Sequence, residues 1–153
     1  MEKNKKKYGL SVAVALCMCL LGGFLANLAQ TDFGKVTKKT ILFESNSGHT
    51  ISADVLIPNE AGEENPLPAI VWAHGGNANK ERSDNFQIEW ARRGYVVVSF
   101  DLYGHGESEV LNDTEWFDNG RGLYDTVQYV ATLPYVDADR IAVSGHSRGG
   151  NTI

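Results

Sequence analysis

VDADRIAVSGHSRGGNTI, residues 136–153, is the stretch on which the reading of this chain turns. Ile141-Ala142-Val143 is a short apolar run of the kind expected in a strand buried on both faces. It leads directly into Gly145-His146-Ser147-Arg148-Gly149, a G-x-S-x-G pattern. A strand that must turn at once into a helix needs a very tight corner. Gly145 and Gly149 omit the side chains that would block it, and Gly150 leaves room for close packing just after. The corner lifts the Ser147 hydroxyl above the sheet edge at the start of the next helix. Helix-terminal amides there face a developing oxyanion. The residues therefore point to Ser147 as a nucleophile, with the Arg148 amide as one oxyanion donor. Against this stands the plainer reading of a glycine-rich turn with a capping serine.

Working back from the corner, two further apolar runs each end in a glycine-bearing loop. Ala69-Ile70-Val71-Trp72-Ala73 precedes His74-Gly75-Gly76-Asn77, and Tyr95 to Phe100 precedes the loop from Asp101 to Ser108. The first loop is placed to aim the amide of Gly76, or of Asn77, at the same oxyanion. In the second, Asp101 reads as an acceptor for loop amides and His105 as part of the loop, rather than as catalytic acid and base. His49 reads as a solvated residue at the start of a strand. His146 reads as the variable position of the corner, pointing away from the site.

The elements around these loops follow from turn and periodicity signals. Val36 to Phe43 and Thr50 to Ile57 flank the turn cluster Ser45-Asn46-Ser47-Gly48 and read as an antiparallel hairpin. Ile51, Ala53, Val55 and Ile57 fall on one face of its second strand. Pro58 ends the hairpin, and residues 59–68 form a loop. Ser83 or Asp84 caps a helix that runs to Arg93, with Gly94 as its stop. Residues 110–120 read as irregular. Leu123, Val127 and Val130 then recur at helical spacing in a helix that ends by Pro134. The order is hairpin, strand, helix, strand, helix, strand and the start of a helix. Such an order predicts an α/β fold with parallel pairing through crossover helices.

Before the hairpin the composition differs. Lys3, Lys5, Lys6 and Lys7 crowd the first seven residues, and no charged side chain occurs from Tyr8 to Gln30. As a helix, Tyr8 to Leu28 would reach about 30 Å, the thickness of a bilayer's hydrocarbon core. Two readings compete for residues 8–30: an uncleaved transmembrane anchor, and a signal peptide removed after export. The apolar run is long for a signal peptide, and Asn27-Leu28-Ala29 lacks the small first residue of a good cleavage site. The leading lysines favour residues 1–7 in the cytoplasm and the remainder outside, or secreted if the segment is cleaved. Lys35, Lys38 and Lys39 weaken that asymmetry. Both cysteines, Cys17 and Cys19, lie inside the apolar run, so the remainder has no disulfide framework.

Without the first seven residues, ten basic groups face eighteen acidic ones, a net charge of −8. That balance argues against a nucleic-acid partner. No metal-ligand spacing and no phosphate-binding loop occur, so neither a metal nor another cofactor is expected.

Taken together, the chain resembles the α/β-hydrolase superfamily. The resemblance rests on HGG at 74–76, D-x-x-G-H-G-x-S at 101–108 and GHSRGG at 145–150, in that order, each after a strand-like run. The segment from Val136 is especially similar to the dienelactone-hydrolase, prolyl-oligopeptidase and serine-aminopeptidase branches. It implies that residues 36–153 form the N-terminal half of such a fold. It also implies a serine hydrolase acting on an ester or related acyl bond, with an oxyanion hole from the Gly76 and Arg148 amides. A serine peptidase on short peptides and a non-catalytic hydrolase-like membrane protein are the alternatives. In this superfamily the acid and the histidine follow the serine. All four histidines here precede Ser147. The acid and base are therefore expected beyond Ile153, and residues 1–153 alone are expected to be inactive and incompletely folded.

Overall fold

The computed structural model describes residues 2–82, 84–111 and 120–153. Ser83, one of the two expected helix caps, and positions 112–119 of the expected irregular stretch lie outside the described residues. The chain begins with a long helix, α1 (Glu2–Gln30). A hairpin follows, formed by β1 (Val36–Glu44) and β2 (Thr50–Pro58), and then β3 (Leu67–Ala73). Helix α2 (Asp84–Ala91) leads to β4 (Val96–Phe100), and α3 (Arg121–Val130) leads to β5 (Val136–Gly145). The expected helix start after the Ser147 corner is instead a 3-10 turn, Gly149–Thr152.

The five strands make one mixed sheet in the order β1-β2-β4-β3-β5. The hairpin is antiparallel, and β2 continues antiparallel onto β4. β3 pairs parallel with β4 on one side and with β5 on the other. This is the hairpin-into-parallel-sheet arrangement expected of an α/β-hydrolase fold.

Helices cover both faces. On one side Ala91 of α2 packs with Val36, Leu56 and Val97. On the other, Leu123 and Val130 of α3 join Phe43, Ile51, Val55, Val71, Val98 and Phe100. Hence β2 is buried on both faces rather than on the Ile51–Ile57 face alone. Its second face carries Ser52 and Asp54, both buried. Each polar group is paired, as burial demands. Asp54 accepts from Thr40 Oγ1 at 2.7 Å and lies 3.0 Å from Lys38 Nζ. Ser52 donates to Glu107 at 3.1 Å.

The inner side of α2 includes Gln87, which is fully buried and donates to the Lys80 carbonyl at 3.1 Å, whereas Phe86 is exposed. Gly94, at φ +83°, ends the turn after α2 in the left-handed region that suits glycine.

The last strand departs from expectation. Residues 137–140 loop outward, because Leu67 pairs with Val136 while Ala69 pairs with Ile141. Asp137 closes that loop by accepting from the Asp139 amide at 3.1 Å and from Arg140 Nε at 2.6 Å. The run from Ile141 was expected to be buried, yet Val143 is 39% exposed. Among the described residues, β5 pairs with β3 alone, so no strand covers its outer edge.

Helix α1 stands apart. Tyr8–Gln30 is long and apolar enough to cross a membrane, with a mean hydropathy of 2.2, and its residues 8–27 are exposed. Length and composition are compatible with a membrane anchor or a signal sequence.

Candidate active site

Register brings the three motif loops to one end of the sheet. Ala73, Phe100 and Gly145 close β3, β4 and β5, and Ala73 aligns with both of the others. The loops that leave these residues therefore converge at the C-terminal ends of the parallel strands, where open α/β sheets form their crevices.

The corner after β5 is as tight as its glycines suggest. The His146 amide donates to the Ala73 carbonyl at 3.1 Å, and the Gly149 amide to the His146 carbonyl at 3.0 Å. A Cβ on Gly145 would fall 2.6 Å from backbone atoms of Gly149. Between them Ser147 sits at φ +53°. A non-glycine residue there is strained, by roughly 1–2 kcal/mol. Ser147 is nevertheless exposed, at the edge of a cleft of about 360 Å³. Residues 75–78, Arg82 and the corner residues 146–148 line that cleft.

Two histidines shape the glycine loop from behind. His74 is fully buried. Its Nδ1 lies 2.7 Å from the Gly75 carbonyl, and its Nε2 accepts from the Leu102 amide at 3.1 Å. The first contact needs a proton on Nδ1 and the second needs none on Nε2, so the ring is held neutral in one tautomer. His105 reaches the next peptide, with Nε2 2.8 Å from the Gly76 carbonyl and Nδ1 3.1 Å from the Tyr103 carbonyl. Pinning a carbonyl also fixes the amide across the same peptide bond. The Gly76 and Asn77 amides are set in this way, and neither has a hydrogen-bond partner among the described residues.

Burial pushes the His74 pKa down; the Gly75 contact opposes this, and the nearby His105 and Arg148 assist it. Because the folded ring resists protonation, the unfolded chain binds the extra proton first. Stability is then complete above about pH 6.5 and is lost as pH falls below it. Thermal melts between pH 7.5 and 5.5 are expected to show this loss, and His74→Gln is expected to flatten the profile.

Asp101 is fully buried and organises the loop after β4. Its carboxylate accepts from the Lys80 amide at 2.6 Å and from the Glu107 amide at 3.0 Å. Lys80 Nζ lies 3.0 Å from it and 2.7 Å from Glu107. Burial lowers the Lys80 pKa, but the bonds to Glu107 and Asp101 outweigh it and hold the amine above its ordinary value. Gly106 is obligatory in this loop, since a Cβ would overlap the Asp101 carboxylate.

Of the residues singled out in the sequence, Gly75, Gly76, Ser147 and Arg148 meet around the cleft. His74 and Asp101 lie behind it, and Gly145 and Gly149 shape the corner. His146 does not point away as expected. It lines the cleft, with Nδ1 3.2 Å from where a Gly75 Cβ would stand. The bare glycine leaves the space that the ring occupies. His49 is not fully solvated either: Glu109 lies 3.2 Å from its Nδ1, and its ring meets the Tyr103 edge at 5.8 Å. Arg82 and Lys80 carried no motif signal; only the packing of the segment before α2 brings them to this end of the sheet. Among the described residues, no three His, Cys, Asp or Glu side chains converge as a metal site.

Comparison with known proteins matches residues 47–153 to the X-Pro dipeptidyl-peptidase (S15) family. The chain belongs to that family. Protein PA2218 of Pseudomonas aeruginosa is 32% identical over 114 residues, which cover 72% of this chain and 30% of that protein. Its crystal structure superposes with a TM-score of 0.62 at 31% identity, covering 71% of this chain and 35% of the other. Dipeptidyl-peptidase 5 of Porphyromonas gingivalis is 27% identical over 120 residues, 72% of this chain and 17% of its own. Acetyl xylan esterase 1 of Thermoanaerobacterium shares the fold at a TM-score of 0.63 and 24% identity, over 77% of this chain and 43% of the other. The S15-family chain thus spans about a third or less of these two curated relatives. Its curated relatives include dipeptidyl peptidases, and an esterase shares its fold.

Proposed function

We propose that this chain carries the nucleophile and oxyanion half of a serine hydrolase site that acts on an ester or related acyl bond. One observation supports it above the others: the exposed, strained Ser147 shares a cleft with a glycine loop whose amides have no partner among the described residues. Strain of this kind persists where the surrounding structure holds it, and such sites are often functional. In this reading the Ser147 hydroxyl attacks the acyl carbon. The amides of Gly76 and Arg148 receive the oxygen as it becomes negative, and each such donor is worth about 100- to 1,000-fold in rate.

The general base is not assigned to His49, His74 or His105. His74 and His105 have both ring nitrogens directed at backbone partners, and His49 is engaged with Glu109. The family match favours a second reading, a peptidase that cleaves short peptides through the same half-site. In both readings α1 anchors the chain in a membrane with the domain outside the cytoplasm.

The test is labelling of the full-length protein with a fluorophosphonate. The adduct is expected on Ser147, and an unlabelled Ser147 would overturn the reading. A panel of acyl esters and X-Pro amides then separates esterase from peptidase.

A further inference from the structure

The joint between α1 and the domain lies at the end of the sheet opposite the cleft. Val36, the first residue of β1, pairs with Pro58, the last residue of β2. β2 in turn runs against β4, with Leu56 opposite Val97 and Ala53 opposite Phe100. The start of β1 is therefore level with the start of β4, while the cleft lies beyond the ends of β3, β4 and β5. Five residues of strand separate the two levels, about 17 Å at 3.3 Å per residue.

The joint is not a loose tether. Asp32, Phe33 and Gly34 adopt three successive left-handed conformations, at φ +46°, +56° and +84°. Such a run persists only when its surroundings fix it. Arg92, just past α2, donates to Asp32 at 3.0 Å and to the Ala29 carbonyl at 3.4 Å. Asn59, just past β2, donates from its side chain to the Gly34 carbonyl at 2.7 Å and from its amide to the Lys35 carbonyl at 2.9 Å. Two separate elements of the domain thus grip the last turn of α1 and the joint. Residues 8–27 of α1 are exposed throughout, so the helix leaves the body without lying along it. Phe33, 73% exposed, stands where an aromatic side chain suits a membrane–water interface.

We propose that this clamped joint holds the domain on the membrane with its cleft directed away from the bilayer, so that the site takes a water-borne acyl substrate rather than a bilayer lipid. The substrate half of this proposal rests on the hydrolase reading of the cleft; the orientation half does not.

The test uses the full-length protein in liposomes, with Cys17→Ala and Cys19→Ala. A single fluorophore is carried either at Glu60→Cys, beside the joint, or at Glu81→Cys, near the cleft. Both positions are exposed. Headgroup spin-labelled lipid is expected to quench the Glu60 probe several-fold more than the Glu81 probe. A ten-residue Gly/Ser insertion between Gly34 and Lys35 is expected to narrow that difference. Equal quenching without the insertion, stronger quenching at Glu81, or no quenching at either position would overturn the proposal. In the same liposomes, a soluble short-chain ester is expected to turn over at least tenfold faster than a phospholipid ester. Faster turnover of the phospholipid overturns the substrate half. Turnover of neither, with the quenching gradient intact, supports the orientation and counts against the hydrolase reading.

Discussion

Replacing Ser147 by glycine is expected to raise the stability of the full-length protein while abolishing the proposed hydrolysis. The two effects have separate causes. Ser147 holds φ +53° on a backbone that a side chain disfavours by roughly 1–2 kcal/mol. Glycine adopts this conformation freely but carries about 0.5–1 kcal/mol more chain entropy into the unfolded state. The difference leaves a net gain of between zero and roughly 1.5 kcal/mol. Activity goes the other way. Loss of a serine nucleophile costs on the order of a million-fold in kcat where it acts with a base. Ser147→Ala keeps the strain and loses the hydroxyl, so it is expected to match the wild type in melting temperature and the glycine variant in turnover. Denaturant titrations and ester kinetics on the three proteins check both halves. Turnover within tenfold of wild type in either variant would remove Ser147 from the mechanism, and a glycine variant less stable than wild type would remove the strain argument.

The Gly149→Ala substitution is expected to be the most damaging single change to the fold near the site. A Cβ there would stand 2.1 Å from the Ala73 oxygen, 2.5 Å from the Ala73 carbonyl carbon and 2.6 Å from the His74 oxygen. All three atoms are backbone, at the end of a central strand, so no rotamer change relieves the overlap. Either the corner lifts off β3 or β3 shifts against β4 and β5. Overpacking a core typically costs 1–3 kcal/mol, and a clash with fixed backbone exceeds that range. A loss of about 4 kcal/mol is expected, with the melting temperature falling by 10 °C or more. Gly150→Ala is the control. Its Cβ would meet the Gly145 oxygen at 3.7 Å, an ordinary contact, so the change is expected to stay within about 1 kcal/mol. Equal melting temperatures for the two variants would refute the account.

Much of the fold was legible because each element carried its own local signal. The hairpin announced itself through Ser45-Asn46-Ser47-Gly48 between two alternating runs. The stop of α2 was marked by Gly94, and the three apolar runs ended at recognisable loops. The corner was legible for the same reason: glycine on both sides of a serine after an apolar run describes a backbone constraint contained within a few residues.

Other features had no local signal. Alternation in β2 showed which side chains share a face, but not that the opposite face would also be covered. That depends on α2, whose residues begin 26 positions after Pro58 ends the strand. The loop at residues 137–140 was invisible because it is a shift in pairing between β3 and β5. The apolar run from Ile141 implied burial, yet burial requires neighbours on both flanks, and those lie outside β5 itself. His146 was misplaced because its direction depends on a space left by Gly75, about seventy residues earlier.

The sequence by itself determined the class of fold, the order of the three motif loops, the glycines without which the corner cannot close, and the apolar α1. All of these are set by interactions between residues close along the chain. Only the tertiary structure decided that β2 lies against β4, that β4 lies inside β3, and that the three loops consequently share one cleft. It alone placed Lys80 under Asp101, His105 on the Gly76 carbonyl, and the clamped joint at the far end of the sheet. Strand neighbours are chosen by long-range burial and by pairing of backbone groups, which every strand offers alike. The pattern within any one segment carries no address for its partner.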